Sequence, residues 1–369
     1  MDQMQYYYPM ETRTAEARKA MSRRGLDALV VTSDESIRYL SGFTGGDSVS
    51  VLGPGCNMLI TDGRYIVQAA VQAPGWEICQ HSGNLFKVLA EAVSSAPVTG
   101  LDSDVSHTFY TRLSSLVAPP ARLVPDAGIV ERLRYFKDPG EVNLIKRACA
   151  CASSAFNSII DLIRPGISER ELASRLDCRM MEEGAQGPAF DTIVASGPNA
   201  AMPHAEPTGR TLAAGDLVMI DFGARVEGYC CDITRTLVAG GPPDRRQLEV
   251  IGAVYRAREL ALSMIRPGIA TGDLEVAARR LMEEKGLAAG IRHSLGHGVG
   301  LSVHERPSLS RLSEEVVAEG MVLTVEPGAY FEGWGGVRLE ETVLVTGSGS
   351  EILTDGASNP WKDTAWPAG

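Results

Sequence analysis

The chain has 369 residues, of which 44% are hydrophobic and 22% are charged. This length predicts two domains with room for a large core, and the ordinary composition excludes a mainly disordered chain. The formal net charge of −11 argues against nucleic acid or an anionic membrane as a partner, because both attract basic surfaces.

Seven cysteines are present, an odd number, and no two of them have CxxC spacing. This usage predicts reduced thiols in a cytoplasmic protein, rather than a disulfide framework or a thiolate zinc site. The N-terminus shows no basic segment followed by an apolar stretch, so no signal peptide is expected. No apolar run approaches the ~18 residues that a membrane-spanning helix requires, which predicts a soluble protein.

The N-terminal part of the chain alternates between helical and strand-like patterns. Apolar and small residues at helical spacing begin near residue 13, and the chain turns at Gly25 into the apolar run LDALVVT. SVSVL and NMLITD indicate further strands, and residues 64–73 and 84–95 indicate further helices. This alternation predicts an α/β domain with a central sheet.

The chain is predicted to divide at Asp138-Pro139, where the proline interrupts the preceding segment and a helix begins at about Gly140. We therefore assign residues 1–137 to an N-terminal domain and residues 138–369 to a second domain. Every residue that the sequence singles out for chemistry lies in the second domain.

The second domain contains an internal repeat. The motif IRPGI occurs at residues 163–167 and 265–269, and each copy precedes a helix-like segment that ends in glycine. Farther along, AAGDLVMIDFG and AEGMVLTVEPG both combine a glycine turn, an apolar strand, a carboxylate and a second glycine. Asp221 and Glu326 therefore occupy equivalent positions in two related halves, and a duplicated unit of this length predicts one pseudo-symmetric domain.

Each half adds a second carboxylate, Asp232 in CDITRT and Glu340 in GGVRLEE, the latter expected within an apolar strand. A hairpin from each half would direct two carboxylates toward one central site. Burying four unpaired carboxylates is so unfavourable that the group requires cations, and divalent metal ions are the simplest ones. A single carboxylate at a strand end is more often a cap or turn residue, but the repeat favours the metal site.

Four of the six histidines lie in the same domain, namely His204, His293, His297 and His304. Three of them fall within HSLGHGVGLSVHE, where glycines allow close approach of the backbone. Such histidines are often ordinary core or surface residues. One imidazole among carboxylates nevertheless suits Mn²⁺, Co²⁺ or Fe²⁺, with Zn²⁺ as a further option.

Five segments, in the order DFG, CDITRT, HGVGLSVHE, VEPGAY and GGVRLEE, resemble the metallopeptidases of the pita-bread fold. That family includes aminopeptidase P, prolidase and methionine aminopeptidase, together with creatinase, which shares the fold without the metals. RYLSGFTG and TDGRY are similar to the creatinase-like domain that precedes the catalytic domain in aminopeptidase P and prolidase. GPNAAMPH and VHERP resemble the proline-specific branch. Glu341 departs from the pattern, since many relatives have aspartate there, but it keeps the charge.

The resemblance implies an α/β (α+β) fold in which a creatinase-like α/β N-terminal domain precedes a pseudo-two-fold pita-bread catalytic domain. It implies two divalent metal ions as cofactors, with Mn²⁺ expected and Co²⁺ or Zn²⁺ as options. The implied ligands are Asp221, Asp232, His297, Glu326 and Glu340. Asp221 and Glu340 would bridge the two ions, Asp232 would hold one of them, and His297 with Glu326 would hold the other.

The same resemblance implies catalytic roles for four residues. His204 and His304 would line the substrate site, and His304 would donate to the developing oxyanion. His293 would order the substrate or the site, and Glu326 would move a proton in addition to binding metal.

Two further residues are expected to support the ligands. Arg338 lies two residues before Glu340, where it could hold a ligand carboxylate, although a surface salt bridge is the alternative. Tyr330 follows Glu326 in EPGAY, where it would orient a ligand or simply pack.

The predicted activity is that of a two-metal hydrolase that cleaves the Xaa-Pro bond at the N-terminus of peptides, an Xaa-Pro aminopeptidase. The predicted partner is a peptide with proline in the second position, and the family implies a homodimer. An Xaa-Pro dipeptidase is the alternative, placed second because the sequence identifies no cation that reads the free carboxylate of a dipeptide. A creatinase-like hydrolase or a non-catalytic peptide-binding module is less favoured, because no metal ligand is missing.

Overall fold

The structure is a computed structural model, and it describes residues 10–125, 128–362 and 364. The chain divides into two compact units, Met1–Arg134 and Tyr135–Gly369. The division lies near the domain boundary expected between residues 137 and 138, which itself stays a prediction. In the part of the chain that the structure describes, no helix is both long enough and apolar enough to cross a membrane.

The first unit alternates helices and strands, as the sequence predicts. Its elements are, in chain order, α1 (Met10–Arg23), β1 (Ala28–Val31), α2 (Asp34–Ser41), β2 (Val49–Leu52), β3 (Asn57–Thr61), α3 (Ile66–Gln72), β4 (Glu77–Gln80), α4 (Leu85–Val93), β5 (Val98–Leu101), α5 (His107–Ser114), β6 (Arg122–Val124) and α6 (Ile129–Leu133). The strands form one mixed sheet in the spatial order β4-β3-β2-β1-β5-β6. β2 is antiparallel to both neighbours, and the other pairs are parallel.

One cluster of the core of the first unit lies between its central sheet and the helices α4 and α5. β-branched side chains of the strands, such as Val30 and Ile60, pack there against Leu89 of α4 and Leu113 of α5. Residues of this type suit a half-buried pleated surface, and their burial is the main favourable contribution to folding.

The second unit opens on the helix that the sequence places after Asp138-Pro139. Asp138 accepts a hydrogen bond from the backbone N–H of Glu141 at 2.9 Å, and the Glu141 side chain accepts one from Asp138 N–H at 2.9 Å. This reciprocal capping satisfies two N-terminal donors, and Pro139 occupies the first helical position, where its missing N–H costs nothing.

The elements of the second unit are, in chain order, α7 (Pro139–Ile159), α8 (Glu169–Glu182), β7 (Gly187–Pro188), β8 (Ile193–Ser196), β9 (Leu217–Phe222), β10 (Ala224–Val226), β11 (Tyr229–Cys230), β12 (Ile233–Val238), α9 (Arg245–Met264), α10 (Thr271–Glu284), β13 (Gly296–Gly298), β14 (Glu305–Leu309), β15 (Val322–Val325), β16 (Gly328–Phe331), β17 (Gly335–Arg338), β18 (Glu341–Thr346) and β19 (Gly349–Ile352). Short 3-10 turns occur at Ile160–Leu162, Gly197–Ala201 and Ala288–Gly290.

The internal repeat appears as two equivalent sets of elements. The helix pair α7 and α8 precedes β9 to β12, and the pair α9 and α10 precedes β15 to β18. In the first half β9 pairs antiparallel with β12 around the small hairpin β10–β11. In the second half β15 pairs antiparallel with β18 around the hairpin β16–β17. The matching motifs in the sequence therefore mark matching positions in the fold.

Candidate metal centre and substrate cavity

A cavity of about 510 Å³ lies in the second unit and is lined by residues from both halves of the repeat. Of the residues that the sequence singles out, it is lined by His204, Asp221, Asp232, His293, His297, His304, Glu326, Arg338 and Glu340. Tyr330 is not part of the lining, but it contacts two residues that are. The structure thus brings the predicted residues together from segments more than 100 positions apart.

The four carboxylates converge because each pair of long strands ends or begins beside the cavity. Asp221 lies in β9 opposite Thr234 of β12, and Asp232 directly precedes β12. In the second half, Glu326 directly follows β15, and Glu340 directly precedes β18. Glu340 therefore stands between two strands, not within one as the apolar pattern suggests.

His297 is the central residue of β13, and its position depends on the two glycines beside it. A Cβ atom at Gly296 would lie 2.2 Å from the carbonyl oxygen of Thr324, and one at Gly298 would lie 2.4 Å from that of Arg306. Real Cβ atoms do not approach backbone oxygens so closely. The two neighbouring backbone segments therefore admit only glycine at these positions. The GHG sequence therefore allows the backbone to carry His297 deep into the site.

The ring of His297 presents a lone pair to two carboxylates. Its Nδ1 lies 3.0 Å from the carbonyl oxygen of Gly298, which can only accept, so Nδ1 carries the proton. Burial, with His304 nearby, lowers the pKa of His297 to about 4, so the ring is neutral. Its Nε2 then faces Asp232 Oδ2 at 3.6 Å and Glu326 Oε1 at 3.4 Å. Three acceptors that face one another repel, and a cation between them removes the repulsion.

Three of the four converging carboxylates each bury one oxygen that has no hydrogen-bond donor among the described residues. These oxygens are Asp221 Oδ1, Asp232 Oδ1 and Glu340 Oε1. Burial raises the pKa values of Asp232 and Glu340 well above the ordinary range, and repulsion between the carboxylates raises them further. Ligand atoms of Asp232, His297 and Glu340 all lie within 4.8 Å of one another. Oxygen-rich donors with one imidazole fit a divalent cation such as Mn²⁺.

Glu326, like Asp221, is partly exposed and lines the cavity. Burial raises its pKa to about 8, and Asp221 adds to this shift, whereas Arg338 and a hydrogen bond with Thr324 oppose it. A carboxyl group with a pKa near neutrality can both take up and release a proton at physiological pH.

Arg338 lines the cavity and holds the acidic residues by hydrogen bonds. It is buried, and its Nη2 donates to Asp221 Oδ2 at 2.5 Å. Its Nε donates to the hydroxyl of Thr234 at 3.0 Å, and that hydroxyl donates to Glu340 Oε2 at 2.7 Å. Arg338 is therefore not a surface ion-pair residue. Thr234 was not identified from the sequence, although its register opposite Asp221 in a β9–β12 hairpin would have pointed to it.

Tyr330 and His293 form a hydrogen-bonded chain with Arg338. Arg338 Nη1 donates to the Tyr330 hydroxyl at 2.7 Å, and this hydroxyl lies 2.8 Å from His293 Nε2. His293 Nδ1 lies 2.8 Å from the carbonyl oxygen of Ser294, so Nδ1 carries the ring proton and Nε2 accepts from Tyr330. Burial lowers the pKa of His293 to about 4, which agrees with a neutral ring.

His204 and His304 are exposed side chains on the wall of the same cavity. The rings of His304 and His297 meet edge to face, with centroids 4.3 Å apart. Partial burial lowers the pKa of His304. Both side chains are therefore accessible from the cavity.

Glu341, the residue that departs from the family pattern, is buried beside Glu340. Its carboxylate accepts from Arg235 Nη2 at 3.1 Å and from Arg258 Nη1 at 3.2 Å. Arg235 Nη1 also donates to the carbonyl oxygen of Glu340 at 2.6 Å. The negative charge at Glu341 therefore balances two arginines and helps to fix the backbone of Glu340.

Two family models match the chain. Residues 143–347 match metallopeptidase family M24, and residues 13–136 match the creatinase/prolidase N-terminal domain. The first match covers more than half of the chain. Together with the solved structures of relatives, these matches confirm the expected fold class, a creatinase-like α/β domain followed by a pita-bread catalytic domain.

Known proteins resemble this chain over nearly its whole length. An Xaa-Pro dipeptidase of Pyrococcus horikoshii is 35% identical, over 90% of this chain and 94% of its own length. The structure of an Xaa-Pro dipeptidase from Bacillus anthracis is 36% identical with a TM-score of 0.90, and covers 95% of this chain and 99% of its own. The structure of an X-Pro aminopeptidase from Thermotoga maritima is 37% identical with a TM-score of 0.81, covering 91% and 97%. With its carboxylate–imidazole site and these matches, the chain belongs to metallopeptidase family M24.

Proposed function

We propose that the chain is a two-metal exopeptidase that hydrolyses the Xaa-Pro bond, with Xaa-Pro dipeptides as its preferred substrates. The proposal of a metal-dependent hydrolase rests on one observation. Carboxylate oxygens without a hydrogen-bond donor and the lone pair of His297 converge on one cavity. Such a group is costly to bury unless it holds cations, and a cation beside an open cavity is placed for catalysis.

The proposed metal ligands are the five residues expected from the sequence. Asp232, His297 and Glu340 form one close group, whereas Asp221 has one oxygen engaged by Arg338. Asp232, His297 and Glu340, together with Asp221 and Glu326 on the same cavity, would hold two divalent ions. Mn²⁺ stays the expected metal, with Co²⁺ and Zn²⁺ as options.

Divalent ions at this site would supply Lewis-acid polarisation of the scissile carbonyl and activation of a water molecule. Around them, the chain's own residues have distinct tasks. Glu326 would receive the proton released when water attacks and deliver it to the leaving nitrogen. His304 would donate to the carbonyl oxygen as negative charge develops there. Tyr330 would keep His293 in the tautomer seen here, with Nδ1 protonated.

The cavity wall suits a proline ring. Phe190, Ile193, Pro203, Pro207 and Val303 contribute apolar surface to its lining. A proline after the scissile bond leaves a tertiary amide with no N–H, so an apolar surround leaves no donor unsatisfied. The relatives named for Xaa-Pro substrates support the same specificity.

We place Xaa-Pro dipeptides first among the candidate substrates, ahead of the longer peptides expected from the sequence. Both dipeptidases compared above match this chain over at least 90% of its length, and His204 on the rim is a candidate partner for a free carboxylate. The similarity to an X-Pro aminopeptidase keeps longer peptides as the second candidate. A homodimer and a cytoplasmic location stay predictions from the sequence.

A panel of three substrates tests this function. Mn²⁺-loaded enzyme should hydrolyse Ala-Pro about 100-fold faster than Ala-Ala in kcat/KM, since a pocket shaped for the extra methylene groups of proline can discriminate to this extent. Ala-Pro-Ala should be cleaved more slowly than Ala-Pro. Equal rates on Ala-Pro and Ala-Ala would reject proline selectivity, and faster cleavage of Ala-Pro-Ala would make the enzyme an aminopeptidase.

A further inference from the structure

Glu169, the first residue of α8, is a fully buried carboxylate that the proposed chemistry does not use. Its Oε1 accepts from the backbone N–H and the hydroxyl of Ser196, both at 2.7 Å. Its Oε2 accepts from the backbone N–H of Thr208 at 3.1 Å and from its hydroxyl at 2.6 Å. The side-chain amide of Asn199 donates to both oxygens at 3.1 Å. Glu169 therefore joins Ser196 to Thr208, which lie twelve residues apart in the sequence.

The segment that Glu169 closes forms one wall of the substrate cavity. The consecutive residues 203–207, which we call the 203–207 wall, all line the cavity. They belong to neither a helix nor a strand, so no backbone ladder fixes their position. On the cavity side, the carbonyl of Pro203 accepts from Arg338 Nη1 at 3.1 Å, and Ala205 packs in a small buried cluster with Tyr330. At the ends of the segment, the Glu169 side chain joins Ser196 to Thr208. It acts beside the pairing of Ser196 with Val218 and the backbone hydrogen bond from Arg170 N–H to the carbonyl oxygen of Thr208.

We propose that Glu169 is a positioning residue that sets the 203–207 wall against the substrate, and with it His204. Glu169 does not line the cavity, so it acts only through the segment it holds. The inference rests on the proposed function to the extent that His204 is taken to face the substrate. A shift of about 1 Å in a positioning element can cost about 10²-fold in rate, which is why such an anchor matters far from the reacting atoms.

The ionised carboxylate is essential to this task. Burial raises the pKa of Glu169, but hydrogen bonds from Thr208 and Ser196 outweigh it and lower the pKa overall. Each oxygen accepts one backbone N–H, from Ser196 and from Thr208 respectively. In Glu169→Gln, the amide NH₂ must face one of these N–H groups whichever way it is turned, so one end of the segment loses its acceptor.

The first experiment compares Glu169→Gln with Glu171→Gln, which makes the same change on the same helix at an exposed residue whose carboxylate pairs with Arg175. Glu169→Gln should lower kcat/KM for Ala-Pro by about 10- to 100-fold, mainly through KM, with metal content unchanged. Glu171→Gln should match the unmodified enzyme. In a His204→Ala background, Glu169→Gln should have less than about a twofold further effect, because coupled residues are not additive.

The second experiment follows the backbone directly and does not depend on any substrate. Hydrogen exchange measured by mass spectrometry should accelerate in peptides that cover residues 196–208 of Glu169→Gln and stay unchanged around β15 and β18. Thr208→Val, which removes a single donor to Glu169, should give the same local change if Glu169→Gln does not fold. Wild-type-like exchange in 196–208, loss of metal, or an equal loss of kcat/KM with and without His204 would each overturn the positioning role. If the unmodified enzyme did not hydrolyse Ala-Pro, the proposed function would be rejected. The hydrogen-exchange result would then still decide the positioning role of Glu169.

Discussion

Replacement of His297 by alanine should empty or loosen the metal site and lower kcat/KM on Ala-Pro by about 10³-fold or more. The ring supplies the lone pair that faces Asp232 and Glu326, so its removal leaves two carboxylates without their common neighbour. Metal catalysis contributes several kcal/mol of transition-state stabilisation, and each 1.4 kcal/mol is about tenfold in rate. Bound metal per chain and steady-state kinetics should be measured on the same preparation.

His107→Ala is the matched control, since His107 is an exposed histidine at the start of α5 in the other unit. It should retain both metal and activity. Thermal unfolding of both variants with and without added Mn²⁺ separates metal loss from misfolding, because a folded His297→Ala protein should gain less stability from Mn²⁺ than the control. Near-normal turnover by folded His297→Ala would contradict the site assignment.

Replacement of His304 by alanine should leave the metal in place and lower kcat by about 10²- to 10³-fold, the usual loss when one oxyanion donor is removed. The His304 ring touches the His297 ring but stands on the exposed wall of the cavity, outside the group of close ligand atoms. Metal content and kcat must therefore be measured together.

His304→Gln provides the matched variant, because glutamine keeps a hydrogen-bond donor without the ring. It should recover part of the kcat lost in His304→Ala. A metal-depleted His304→Ala protein would make His304 a ligand or its direct support. A fully metallated and fully active one would show that His304 takes no part in the reaction.

Much of the site follows from the sequence because the internal repeat relates distant residues. Asp221 and Glu326 end equivalent strands, and two antiparallel pairs of strands bring their ends to one place. His297 was recognisable from its flanking glycines, which the structure shows to be required by backbone oxygens at either side. Local patterns such as these survive in the fold because they express steric and hydrophobic constraints of the backbone.

The residues that sequence reasoning missed act through contacts between segments far apart in the chain. Thr234 joins Arg338 to Glu340, and Glu169 joins two ends of a loop, yet neither residue type is unusual in its local context. Helix α2 was also not predicted, because its eight residues are fewer than the window of about 11 in which helical periodicity can be recognised.

Restoration of activity by metal tests the central claim most directly. Protein stripped with a chelator should lose hydrolysis of Ala-Pro and recover it as Mn²⁺ is added, with activity saturating at two bound ions per chain. The same titration of Asp232→Asn should show weaker binding and no recovery, since Asp232 belongs to the close group of proposed ligands. Full hydrolysis of Ala-Pro by verified metal-free protein, or recovery in Asp232→Asn equal to that of the unmodified chain, would contradict the account.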